Sequence, residues 1–258
     1  MRLMKRILSA AAVLALSASL LVGCSSGTAS SVPVSASSAA ESTVSSVEET
    51  ASSAVDENAA AAEQLLNDLT GSYQELWPVI LADEYKQTWL DDCTALVGED
   101  NAEAAFEKLS SMVTGDVYGE DAVKAYANGG GAYFCGFTNS LAILTFDGET
   151  STISGTDKDG NVLFSHTYHY IGMEPVRGLY EFQSDDADSG EFTYFFLAPD
   201  TSAETYHIEF RYGSDAEALS QYDTGEYAYW LASGISTDCD QTMIDNCIEL
   251  FCTENLAG

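Results

Sequence analysis

Seven short segments between residues 132 and 212 constrain the fold of this chain most strongly. Each is rich in β-branched and aromatic residues, and alternation of apolar with polar side chains is typical of half-buried strands. Turn-forming clusters such as TNS, DGE and DKDGN separate them. The segments are AYFCGF, LAILTF, TSTISGT, NVLFSHTYHYI, RGLYEFQS, EFTYFFLA and TYHIEFRY. Strands this short and this closely spaced predict an antiparallel barrel or sandwich.

Helical patterns lie on both sides of this β region. Before it, apolar residues recur at helical spacing in NAAAAEQLLNDL, GSYQELWPVILADEYKQTWLDD, DNAEAAFEKLSSMV and GEDAVKAYA. After it come DAEALSQY and DCDQTMIDNCIELFCTE, with a segment rich in Tyr and Trp between them. The sequence therefore predicts a mainly β fold with flanking helices.

The first 24 residues determine the expected location of the chain. A basic stretch, MRLMKR, precedes the apolar stretch ILSAAAVLALSASLL, and LVGC ends at Cys24. This order resembles a bacterial lipoprotein signal peptide, so we expect residues 1–23 to be removed and Cys24 to be lipidated. A plain secretory peptide is the alternative. We expect an extracytoplasmic protein attached to the bacterial cell membrane by its lipid anchor.

Composition divides the remainder of the chain into two parts. Residues 24–57 consist almost entirely of Ser, Ala, Val, Thr and Glu, without aromatic side chains, and cannot bury enough surface to fold. We interpret them as a disordered tether. Residues 58–258 have the length of a single domain.

The acidic charge of the chain argues against nucleic acid as a partner. It has 41 acidic and only 9 basic residues, and Arg2, Lys5 and Arg6 of the latter lie in the predicted signal peptide. Such a surface repels nucleic acid, concentrates cations and favours solubility. No G-x-S-x-G, H-E-x-x-H or phosphate-binding loop is present, so we expect no enzymatic activity. We expect a monomer.

The three histidines are the candidate metal ligands. His166 and His169 are three residues apart on one predicted strand, so they face opposite sides unless a bulge intervenes. In AETYHIEFRYG, strict alternation places His207 on the same strand face as Thr205 and Glu209. Five cysteines follow Cys24, an odd number that leaves at least one unpaired, and no pairing follows from their spacing.

The order of several segments resembles the ZinT (YodA) zinc-binding family. GSYQELWPVI resembles its opening helix, the stretch from GLYEFQS to EYAYWLA its second half, and DQTMIDNCIELF its closing helix. The resemblance covers roughly residues 62 to 252. It implies a calycin-like or lipocalin-like antiparallel barrel, preceded by N-terminal helices and closed by a C-terminal helix.

The resemblance also implies where a zinc site would lie. Members of the family bind zinc through three histidines, and the matching positions here are Phe195, Thr205 and His207. Of these three positions, only the one at His207 has kept a histidine. A rebuilt set would combine His207 with His166 or His169 and a carboxylate such as Glu204 or Glu209, which makes a weaker and harder site. The alternative is a histidine that is hydrogen-bonded inside the barrel mouth.

Two functions follow as expectations. The first is a surface lipoprotein that binds divalent metal, zinc above all, for scavenging or for delivery to a membrane transporter such as a metal ABC transporter. The second is a degenerate ZinT-fold module that has lost zinc and binds another small molecule, a glycan or a protein.

Overall fold

A computed structural model describes residues 57–200 and 202–257 of the chain. The predicted signal peptide, Cys24 and the predicted tether, apart from its last residue, lie outside these ranges. Among the described residues, no helix is both long enough and apolar enough to span a membrane.

Eight antiparallel strands form a closed barrel in which each strand pairs with its neighbours in sequence and β8 pairs back to β1. This barrel, with flanking helices and a C-terminal helix, confirms the predicted fold class, although most of the helices expected before the barrel lie between β1 and β2. The strands are β1 (Gly71–Glu75), β2 (Ile143–Asp147), β3 (Thr152–Thr156), β4 (Val162–Met173), β5 (Tyr180–Ser184), β6 (Tyr194–Leu197), β7 (Ile208–Gly213) and β8 (Ala232–Ser236).

In the described part of the chain, one helix precedes β1, four lie in the long connection between β1 and β2, two lie in the connections on either side of β7, and one follows β8. The first, α1, covers residues 57–68. The others are α2 (Leu76–Ile80), α3 (Lys86–Val97), α4 (Glu99–Val113), α5 (Glu120–Ala127), α6 (Ser202–Thr205), α7 (Ala216–Leu219) and α8 (Gln241–Leu256). Asp240 begins α8 as its N-cap, because its carboxylate accepts a hydrogen bond from the Met243 amide at 2.8 Å.

The strand assignments differ from the prediction in three places. Gly71–Glu75, predicted as helix, is strand β1, and Ala232–Ser236, without a predicted strand, is β8. Residues 132–137, predicted as a strand, contribute only isolated bridges through Phe134. The two missed strands are the pair that closes the barrel.

Aromatic side chains fill the interior of the barrel. Phe195 is fully buried, and its ring lies 5.3 Å from that of Tyr212 and 5.4 Å from that of Tyr168. Other fully or almost fully buried members of this core are Phe146, Phe164, Phe182, Phe196 and Phe210. A barrel of eight strands is just wide enough for such side chains to fill it.

A second core lies between the barrel and the helices. Its buried members come from α2, α3, α4 and α8, together with Ile235 of β8 and Cys135. Within it, the Trp89 indole donates a hydrogen bond to the Ile80 carbonyl at 2.7 Å, and the ring of Phe251 lies 6.0 Å from that of Trp89. Both faces of β8 are therefore buried, the inner face in the barrel and the outer face against the helices.

Cys135 in this second core should make the folded protein less stable as the pH becomes alkaline. Burial raises the pKa of its thiol from 9.0 to about 12, with a smaller contribution from the charge of Glu209. The folded protein therefore keeps a proton that the unfolded chain releases above pH 9. Stability is fully present below about pH 9 and should fall by about 1.4 kcal/mol per pH unit up to about pH 12.

Urea unfolding of the wild type and of Cys135→Ala at several pH values between about 8 and 11 checks this. The wild type should lose stability more steeply with pH than the variant. An equal loss of unfolding free energy with pH in the wild type and in Cys135→Ala would contradict the assignment of this proton to Cys135.

Candidate metal centre

The segment that leads into β7 positions the candidate ligands. Residues Ser202–Thr205 form a helical turn, and the Tyr206 amide donates to the Ser202 carbonyl at 2.9 Å. Tyr206 then adopts a left-handed backbone with φ of 67°, which redirects the chain into the strand. The predicted alternation begins only at Ile208, so Thr205 does not share a strand face with His207, contrary to the prediction.

His207 is held by its own turn. Its Nδ1 lies 2.7 Å from the Thr205 carbonyl oxygen, and the Thr205 hydroxyl donates to the His207 carbonyl at 2.8 Å. A carbonyl only accepts, so Nδ1 carries a proton, and in the neutral imidazole Nε2 carries the lone pair. Metal-binding histidines commonly use this arrangement, in which one ring nitrogen is fixed by a carbonyl and the other faces the ion.

Carboxylates lie on the Nε2 side of this imidazole. Glu209 Oε1 is 4.0 Å from His207 Nε2, and the two side chains are 45% and 19% exposed. Glu254 of α8 belongs to the same neighbourhood: partial burial raises its pKa, His207 opposes that rise, and the charges of Glu209 and Asp200 add to it. Glu209 is thus in contact with the imidazole, and Glu254 interacts electrostatically with both of them.

Two of the predicted ligands are thus close together, and a complete set is not. Zinc bonds to nitrogen and oxygen at about 2.1 Å, so two of its ligands are separated by roughly 3.4 Å in a tetrahedral site. The 4.0 Å separation of His207 and Glu209 is close to that value. Across residues 57–200 and 202–257, no group of three His, Cys, Asp or Glu is arranged to hold a metal ion.

Cys247 of α8 also approaches His207. Its sulfur lies 3.9 Å from Nδ1, the nitrogen that is already fixed by the Thr205 carbonyl. Burial raises the pKa of the Cys247 thiol to about 12. A protonated thiol on the Nδ1 side of the ring is not positioned as a ligand for an ion on the Nε2 side.

The other two histidines have different partners. His166 Nδ1 lies 2.7 Å from Asp186 Oδ2, and His169 Nδ1 lies 2.6 Å from Asp185 Oδ1. His166 is 18% exposed and its ring is stacked on Phe164, whereas His169 is 53% exposed on the opposite side of β4. The expectation that the two imidazoles face opposite sides matches this placement.

The aspartates that hold these histidines were not predicted as partners. SDDADSG has the composition of a solvated loop, and in the sequence Asp185 and Asp186 lie well beyond β4. They reach it because β5 pairs with β4, with Ser184 opposite Tyr168, so the loop after β5 returns beside the two imidazoles. Only the strand register reveals this contact.

The two replaced family positions lie in different surroundings. Phe195 is part of the aromatic core inside the barrel and is fully buried. Thr205 ends the α6 turn beside His207. The described geometry therefore brings together His207 and Glu209 of the predicted residues, and it leaves His166 and His169 with their own aspartates.

Comparisons with known proteins give the following picture. No family model matches the sequence, and no curated protein matches it. Among solved structures, the chain is similar to the Zn(II)-bound ZinT-like domain of Streptococcus pneumoniae AdcA, with 15% identity, a TM-score of 0.45, and coverage of 72% of this chain and 89% of that domain. It is also similar to Zn(II)-bound AdcA from the same organism, with 14% identity, a TM-score of 0.42 and coverage of 75% of this chain and 35% of AdcA. This chain thus spans about a third of whole AdcA. The first of these structures is described as ZinT-like, which is the family that the order of the segments resembles.

Proposed function

We propose that the domain binds a divalent metal ion, zinc, through His207 and Glu209, for scavenging or for delivery to a membrane transporter. The observation that supports this most is the orientation of His207. Its Nδ1 is fixed by the Thr205 carbonyl, so Nε2 is the nitrogen directed at Glu209. The 4.0 Å separation of His207 Nε2 and the Glu209 carboxylate is close to the distance between two ligands of one ion.

Glu254 would supply the third ligand. It lies on α8 and interacts electrostatically with both His207 and Glu209, and its carboxylate would have to move to the shared ion when the metal binds. A water molecule would complete four-coordination. Binding would also relieve the repulsion between the two carboxylates, which adds to the affinity. One imidazole with two carboxylates makes a harder site than three imidazoles, so it should discriminate less strongly in favour of zinc.

Calorimetric titration of the protein with zinc tests the proposal. We expect one ion per chain, and His207→Ala should weaken binding at least about a hundredfold, which corresponds to about 2.7 kcal/mol. Glu209→Gln should weaken it in the same direction, because it keeps the shape of the side chain and removes its charge. His169→Ala is the matched control, since its imidazole is paired with Asp185 and should not contribute.

Two results would contradict the proposal. One is the absence of heat at micromolar zinc. The other is zinc binding that is equal in the wild type and His207→Ala.

Loss of zinc in favour of another ligand is the second candidate, and the burial of Phe195 favours it. One of the family's ligand positions is here a core aromatic residue. The filled barrel interior would place such a ligand outside the barrel, for example in a cavity of about 310 Å³ whose lining includes Trp77, Leu81, Val113 and Phe134. A small apolar molecule that co-purifies with the protein in native mass spectrometry, without zinc binding, would support this candidate.

A further inference from the structure

Two buried cysteines from distant parts of the chain face each other between α3 and α8. The sulfurs of Cys93 and Cys252 lie 3.9 Å apart, and both residues are fully buried. In the sequence they are separated by 159 positions. Among the described cysteines, this is the only pair of sulfurs in contact. All five of these cysteines are free thiols.

The packing around this pair holds the two helices in a fixed relation. Trp89 lies one turn before Cys93 on α3, Phe251 immediately precedes Cys252 on α8, and their rings meet edge to face at 6.0 Å. Phe251 also contacts Trp77 at 4.9 Å. Large aromatic side chains on both helices therefore fix the position of the sulfurs.

The separation suits a covalent bond. A disulfide requires the sulfurs to come within about 2.05 Å of each other. Starting from van der Waals contact, rotation of the two cysteine side chains can supply most of this approach without moving the helices. The surroundings are apolar, and a neutral disulfide loses no hydrogen bond there that two thiols would make with the protein.

We propose that Cys93 and Cys252 form a disulfide that ties the C-terminal helix α8 to α3. The oxidant is a disulfide donor, either a dithiol–disulfide oxidoreductase in its disulfide form or a small-molecule disulfide. The oxidising conditions outside the cytoplasm, where the N-terminal sequence predicts this chain to reside, permit the bond. The proposal is independent of metal binding.

The reaction proceeds by two exchanges. The thiolate of one cysteine attacks the donor disulfide, forms a mixed disulfide and expels one donor thiolate. The thiolate of the second cysteine then attacks the sulfur of the first, and the other donor thiolate leaves. Together the two cysteines lose two protons and two electrons, and the donor disulfide becomes two thiols.

The bond should form before α8 is fully docked. Burial raises the pKa of the Cys93 thiol, so few thiolates exist in the folded protein and little oxidant reaches them. Thiol–disulfide exchange is therefore fastest before α8 has packed permanently against the core. Once formed, the bond is protected by the same burial.

Peptide mapping of the full-length protein, unfolded and then refolded in the presence of oxidised glutathione so that the oxidant reaches both thiols before α8 docks, tests the proposal. Cleavage after glutamate separates Cys93, in residues 85–99, from Cys252, in residues 250–254, and leaves Cys239 and Cys247 together in a third peptide, residues 227–249. We expect these two peptides to be linked and lighter by two hydrogen atoms than their sum. Recovery of both peptides unlinked, or linked to other cysteines, would overturn the proposal.

Thermal unfolding with and without a phosphine reductant provides the second measurement. A disulfide that closes so long a loop should raise the Tm of the oxidised protein by about 10 °C over the reduced protein. Cys93→Ala/Cys252→Ala should lose this dependence on reductant. Cys135→Ala, which removes another buried thiol of the same core, should retain it. A reductant effect that persists in the double variant would overturn the proposal, and the peptide map decides the matter if that variant fails to fold.

Discussion

Arg211→Met should lower the free energy of unfolding by about 3–5 kcal/mol. Arg211 is fully buried on β7, and its guanidinium donates hydrogen bonds to the backbone carbonyls of Leu219, Gln221 and Tyr227. It also lies 4.3 Å from the ring centre of Tyr222. Methionine fills much of the same space but donates no hydrogen bond, so three backbone carbonyls, those of Leu219 and Tyr227 in buried contacts, would be left without this donor.

Urea unfolding measures this loss, and Arg177→Met serves as the control. Arg177 stacks on the same Tyr222 ring at 4.2 Å but is only half-buried. Its replacement should cost about 1–2 kcal/mol, because it removes cation–π contacts with Tyr222 and Tyr133 and a hydrogen bond to the Tyr133 hydroxyl at a partly exposed position. A loss below about 1 kcal/mol for Arg211→Met would show that the segment from Leu219 to Tyr227 is held by other contacts.

Trp230→Ala should destabilise the protein by a similar amount, about 3–5 kcal/mol. Trp230 is 1% exposed, its ring meets that of Tyr212 edge to face at 5.0 Å, and its indole donates to the Gly136 carbonyl at 2.9 Å. The substitution would empty a large volume next to β8 and remove that hydrogen bond. Trp230→Phe should cost less, because it keeps most of the aromatic contact.

Thermal or urea unfolding combined with zinc titration distinguishes a core role for Trp230 from a role in the wall of a ligand-binding site. We expect large destabilisation with unchanged zinc affinity at temperatures where the variant is folded. Near-normal stability would contradict the interpretation of Trp230 as a core residue and would favour a ligand-binding wall.

Six of the eight strands could be predicted from the sequence, because each contains aromatic or β-branched residues between clear turn signals. The closing strands could not. β1 is directly followed by Leu76, Trp77 and Ile80 of α2, so its residues extend a helical pattern. β8, ASGIS, consists of small residues, and its first four are all buried because helices cover its outer face. Without alternation there is no period of two to detect.

The candidate site was predictable only where its residues are close in sequence. His207 and Glu209 are two residues apart, and that spacing alone keeps them near each other although β7 begins only at Ile208. Glu254 lies on another element, and only the docking of α8 against the barrel brings it near. The helical turn at Thr205 was missed because AETYH alternates as well as a strand does, and the left-handed backbone of Tyr206 has no marker such as glycine.

Anomalous diffraction at the zinc absorption edge, from crystals of the zinc-loaded protein, tests the metal-binding proposal most directly. We predict one peak about 2.1 Å from His207 Nε2, with Glu209 bound to the same ion. A peak beside His166, His169 or a cysteine sulfur, or no protein-bound peak at all, would contradict it.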